Sequence, residues 1–242
     1  MNNTEVLEVI RESFKTYLHV KSSRSNAKLK PLHGEISKDI QKRLGAGYTI
    51  KSLGYGVDKE GIIDGRYYPK NVDITVYYNG EPVAGYAVKF VMRNYSQNSN
   101  NYFENMLGET ANIRTSGIPY FQIFIIFDKV PYYKEKGAFK RYDILTEHNI
   151  SKYLRLSEDN TDLFYHTPDK TLLMVLTLKE KTPNHNFKDE NDYNNYYNSV
   201  IDDSDLLSYS KKIKDSFGNA VVLNDYDNFI DRSVYAIKAK LK

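Results

Sequence analysis

Asp73 and Lys89 lie on either side of a turn in the stretch NVDITVYYNGEPVAGYAVKF, residues 71–90. Two runs rich in β-branched and aromatic residues flank Asn79-Gly80 and Pro82, a strong short-range signal for a β-hairpin. Folded that way, the hairpin brings a carboxylate and an ammonium to one face of a sheet. Such a pair is a compact way to hold a divalent metal and an attacking water, the chemistry of phosphodiester cleavage.

The residue pattern sets the register. Val72, Ile74, Val76 and Tyr78 alternate with Asp73, Thr75 and Tyr77, and Tyr86, Val88 and Phe90 alternate with Gly85, Ala87 and Lys89. Strand side chains alternate faces, and residues opposite one another share a face. If both apolar rows face the core, Asp73 lies opposite or near Ala87 and Lys89. A slip of one residue would send the two rows to opposite faces.

The surrounding elements must position this hairpin. Residues 5–20 carry Leu7, Ile10, Phe14 and Leu18 at helical spacing, followed by the basic, loop-like KSSRSNAKLKP, which reads equally as a phosphate contact or a solvated linker. GEISKDIQKRLGAG, residues 34–47, predicts a short helix stopped by glycine, and 48–53 a strand. Residues 92–101 read as a polar loop and 102–114 as a helix. The run YFQIFIIF, residues 120–127, predicts a strand buried on both faces. Residues 144–156 predict a helix, 171–178 a strand, 181–199 a polar loop or excursion, and 226–241 a final helix. The whole predicts an α/β fold with a central mixed sheet flanked by helices. It reads as a single domain over 1–242, with an N-terminal helix and basic linker at 1–32 and a C-terminal helical extension at 181–242.

Composition narrows the function classes. The chain has no cysteine, which excludes disulfides and thiolate zinc sites and fits a reducing cytoplasm. No apolar run is long enough to span a bilayer, and the acidic start MNNTEVLEVIRESF lacks a signal core, so no membrane partner and no secretion are expected. The net charge is only +3, so nucleic-acid binding requires a local basic surface. His19, His33, His148, His166 and His185 form no HxH or HExxH pair, and no GxSxG or Walker loop is present. GYGVDKEG lacks the spacing of a dinucleotide loop, and no organic cofactor is expected.

Glu35 on a short helix, Asp73 at a strand, Lys89 on its partner, then a helix and a buried strand resemble the PD-(D/E)xK nuclease superfamily over roughly residues 33–127. The superfamily includes most type II restriction endonucleases. The resemblance implies a restriction-endonuclease-like core that cuts double-stranded DNA with Mg²⁺, and a homodimer. Asp73 would ligate the metal, Lys89 would orient the water, and Glu35 would support the metal shell. The chain departs from the pattern at Val72, where proline is usual, and at Ala87, where the second acid is expected. A subgroup of restriction enzymes supplies that acid from the next helix, and by this spacing Glu104 takes the role, with Glu109 as competitor. Five helical residues turn a side chain by about 140°, so the two do not share one metal easily. The alternative is a non-catalytic DNA-binding or defence-associated module with a degraded site.

Arg93, Asn94, Gln97 and Asn98 follow Lys89 and match the side chains that read base edges, though a solvated loop is the plainer reading. KEKGAFKR, residues 134–141, reads equally as a phosphate contact or a surface loop. The tyrosines at 193–197 read as a base-stacking cluster, though packing or disorder is the plainer reading.

Overall fold

The chain opens with helix α1 (Asn3–His19), closed at its start by a reciprocal cap. The Asn2 side chain accepts from the Glu5 N–H at 2.9 Å, and the Glu5 carboxylate accepts from the Asn2 N–H at 2.8 Å. The computed structural model describes residues 1–20, 26–182 and 185–241, so residues 21–25 of the basic linker lie outside the described residues. The rest of that linker is a 3-10 turn (Asn26–Leu29) leading into α2 (Lys30–Leu44), which starts earlier than the pattern predicts because Pro31 suits a first helical turn.

Then come β1 (Tyr48–Ser52), a small hairpin of β2 (Gly61–Asp64) and β3 (Pro69–Val72), and the strands β4 (Ile74–Tyr78) and β5 (Glu81–Val91). The β4–β5 turn has φ 52° at Asn79 and 87° at Gly80, the left-handed pair that suits the twist of a two-residue hairpin. Ile74 pairs with Tyr86, Thr75 with Gly85 and Val76 with Ala84, which puts both apolar rows on one face. The strand does not run unbroken from Val72, however. Val72 ends β3 and packs with Ile63, Ile113 and Tyr120, and Asp73 occupies the break before β4.

Helix α3 (Tyr95–Arg114) follows, then β6 (Tyr120–Phe127), a second hairpin of β7 (Lys129–Tyr133) and β8 (Phe139–Ile144), and α4 (Glu147–Ser157). The segment expected as a polar loop at 92–101 is largely the first two turns of α3. Asn94 sets that start: it holds φ 50°, and its side-chain oxygen accepts from the Tyr133 N–H at 2.8 Å. KEKGAFKR spans the β7–β8 turn and the first half of β8.

The chain closes with β9 (Lys170–Leu178), α5 (Glu190–Val200), β10 (Leu207–Tyr209), β11 (Val221–Leu223) and α6 (Tyr226–Lys240). The main sheet runs β1-β4-β5-β6-β9-β10, with β11 also on β9, antiparallel through β1, β4 and β5 and parallel through β5, β6 and β9. Every residue of β6 is buried because both faces of the sheet are covered. One face packs α1, α2 and α6 through Phe14, Ile36 and Phe229, and the other packs α3 and α4 through Met106 and Tyr153. The fold is therefore mixed α/β with a central mixed sheet flanked by helices.

Two expectations in the C-terminal part change. Most of the polar excursion is α5, whose Tyr193 and Tyr197 are buried with ring centroids 4.6 Å apart and are therefore packing residues. The C-terminal helical extension expected at 181–242 also carries strands, since β10 and β11 join the sheet that α6 covers. Phe229 of α6 makes edge contacts with Tyr86 of β5 and Phe121 of β6. Phe229→Ala is expected to cost about 3–5 kcal/mol in urea unfolding. An unchanged midpoint would mean that α6 is dispensable to the sheet.

Candidate active site

Asp73 is fixed by two hydrogen bonds. Its backbone carbonyl accepts from the Ser52 hydroxyl at 2.8 Å, and its Oδ2 accepts from the Val88 N–H at 2.7 Å. Both bonds follow from its place at the break between β3 and β4, beside β1 and β5. The carboxylate opens into a cavity of about 300 Å³. Lys70, Asn71 and Val72 of β3 form one wall, Ala87 of β5 with Gln122 and Phe124 of β6 form the floor, Tyr102, Met106 and Glu109 of α3 form the roof, and Lys89 of β5 stands at the rim.

Helix phase decides which acid reaches this cavity. Tyr102, Met106 and Glu109 recur at helical spacing on the stripe of α3 that faces the sheet. Glu104 lies off that stripe, is exposed, and its charge acts on Lys152 of α4. The spacing from Lys89 that favours Glu104 takes no account of this rotation. Glu109 pairs with Lys70, Nζ to Oε1 at 2.6 Å, with both side chains about one-third exposed. Lys89 lies at the rim, its Nζ 4.6 Å from the centre of the Tyr102 ring.

Burial pushes the Asp73 carboxyl up from 3.8 to about 6. Repulsion from Glu109 adds to the rise, while the Val88 N–H and the charges of Lys70 and Lys89 oppose it. The Lys28 ammonium is lowered by burial and by the charges of Lys89 and Arg93. The cavity thus joins two carboxylates to a cationic rim.

The other expected site residues lie elsewhere. Glu35 is not brought to Asp73, because α2 turns Leu32, His33, Ile36 and Ile40 inward and leaves Glu35 partly exposed, 3.3 Å from Lys38. Arg93 pairs with Glu190 of α5, and Asn94 serves the docking of β7. The Asn98 side chain donates to the Asn94 carbonyl at 3.3 Å, and exposed Gln97 accepts from the Tyr132 hydroxyl at 3.5 Å.

Gln122 and Lys70 join the site without having been expected there. Gln122 had a signal: it is an amide inside an otherwise apolar and aromatic run of strand length. Lys70 had none, since the β2–β3 hairpin carries no regular alternation.

Oxygen donors of this kind suit Mg²⁺, which keeps several waters and needs few protein ligands. Among the described residues no three His, Cys, Asp or Glu side chains converge, so the residues that would hold such an ion are Asp73 and Glu109. Burial raises the Asp73 carboxyl and Glu109 repulsion adds to it; a divalent cation between the two would offset both. No protein-family model, curated protein or solved structure matches this chain. No helix among the described residues is long and apolar enough to cross a membrane.

The shifted carboxyl has a signed consequence. An acid whose folded value is raised contributes its stability below the unfolded value of 3.8 and loses it as pH rises through about 6. Asp73→Asn removes that penalty. Without metal, the variant is expected to be more stable than the parent at about pH 8, by on the order of 2–3 kcal/mol, with the gain gone below about pH 4. Parallel unfolding curves over this range would contradict the burial of the charge.

Proposed function

We propose that this chain is a Mg²⁺-dependent endonuclease that hydrolyses phosphodiester bonds in double-stranded DNA, built on a restriction-endonuclease-like core and most simply a type II restriction enzyme. The observation that carries the reading is the meeting of Asp73, Glu109 and Lys89 in one cavity. The order of elements supports it: α2, the antiparallel β1, β4 and β5, then α3, then β6 parallel to β5.

Asp73 and Glu109 would hold the cation, with Glu109 in the role that sequence spacing gives to Glu104. A bound Mg²⁺ would neutralise charge on the phosphate and lower the pKa of a water. Lys89, exposed at the rim, would orient the attacking water by donating to its oxygen. Water then forms a new P–O bond as the bridging P–O bond breaks, and the departing oxygen takes up a proton. Lys70 and Lys89 would guide the anionic backbone towards the cavity. The reading carries with it a homodimer and a cytoplasmic setting.

One observation favours a second reading. The Lys70–Glu109 ion pair occupies the second carboxylate, and Ala87 offers no acid in its place. A protein that binds DNA without cutting it would keep this pair closed.

Incubation of the purified chain with plasmid and phage DNA in Mg²⁺ separates the two. Cleavage is expected in the parent and is expected to fall by roughly 100-fold or more in Asp73→Asn, Lys89→Ala and Glu109→Gln. Glu104→Gln is expected to stay within about twofold of the parent, because its side chain lies off the cavity. Tight DNA binding with no fragments in any divalent metal would refute the nuclease reading.

A further inference from the structure

We propose that the side-chain amide of Gln122 donates to a non-bridging oxygen of the phosphate group bound in the Asp73 cavity. The proposal rests on the phosphodiester reading of that site.

Gln122 is only 6% exposed, on a strand with every residue buried, yet its Nε2 has no hydrogen-bond partner among the described residues. A buried donor left unpaired costs about 1–3 kcal/mol. At this position an apolar side chain of similar volume would avoid that cost. Gln122 lines the cavity, and a turn of its terminal amide presents the Nε2 donor to an incoming ligand.

One oxygen of each nearby carboxylate is already engaged. Asp73 Oδ2 takes the Val88 N–H, and Glu109 Oε1 takes the Lys70 ammonium. The register places Gln122 beside Ala87 across the parallel β5–β6 pair, and the small methyl of Ala87 leaves room above the floor of the cavity. Lys70 and Lys89 stand in the same cavity and give an anionic group two ammonium groups to pair with. A phosphate oxygen meets all of these conditions. A neutral amide also holds it without the repulsion that a third carboxylate would add.

The amide could instead turn its oxygen towards a cation, since the two ends of a glutamine are assigned by their partners. Glutamate at this position separates the cases. A carboxylate would repel the phosphate but would serve a metal well.

The test combines stability, kinetics and spectroscopy. Gln122→Met is expected to melt at or above the parent, because it removes only an unpaired polar group. Its kcat for plasmid cleavage in Mg²⁺ is expected to fall by roughly tenfold or more, with KM for DNA little changed. Gln122→Glu is expected to fall as far. A Gln122→Met variant with full kcat, or one that melts well below the parent, would overturn the proposal, as would full activity in Gln122→Glu.

A second measurement does not depend on cleavage. In protein labelled with ¹⁵N-glutamine, the side-chain NH₂ resonances of Gln122 are identified by their loss in Gln122→Glu. Inorganic phosphate added with Ca²⁺ is expected to move them. Resonances that stay fixed at saturating phosphate overturn the proposal. If the parent never cuts DNA, the nuclease reading falls while this measurement still decides the amide's role.

Discussion

The hydrogen bond from the Val88 N–H to Asp73 Oδ2, 2.7 Å long, sits where the chain leaves the β2–β3 hairpin and enters the main sheet. It fixes a carboxylate beside two strands and draws it away from water. The Ser52 hydroxyl anchors the same residue through its backbone. The bond lowers the acidity cost of burial but does not cancel it, since the carboxyl still rises to about 6. A group held in that state favours a proton or a cation, and the features around it follow from this. Glu109 approaches from α3 with a second negative charge, while Lys70 and Lys89 balance the two.

The layered sheet makes such an arrangement possible. A strand covered on both sides, as β6 is, supports a rigid floor, and α3 crosses above it to close the cavity. Within that frame, two polar groups that stability alone would not retain meet at this cavity. Asp73 carries a raised carboxyl and Gln122 an unpaired amide, and both open into the same cavity. Local expense concentrated in this way marks sites shaped for a ligand.

Much of the frame was legible because its signals are local. Period-two alternation with Asn79-Gly80 defines the β4–β5 hairpin, and an unbroken apolar run defines β6. The site was less legible, because its residues depend on helix phase and on irregular hairpins. Helix α3 begins at Tyr95 rather than at 102, since Asn, Ser and Gln favour loops and only the docking of Asn94 on β7 sets the start. Spacing from Lys89 points to Glu104, whereas the stripe of Tyr102, Met106 and Glu109 gives the side chain that faces the sheet. On α2, packing turns His33 inward and leaves Glu35 at the surface pair with Lys38. The aromatic residues of α5 form a buried stripe that an Asn-rich composition conceals.

The most direct measurement is a Mn²⁺ titration followed by electron paramagnetic resonance, on the parent and three variants. One bound ion is expected in the parent, lost in Asp73→Asn and in Glu109→Gln and retained in Glu104→Gln. Loss of the ion in Glu104→Gln with retention in Glu109→Gln, or undiminished binding in Asp73→Asn, would contradict a metal held between Asp73 and the α3 stripe.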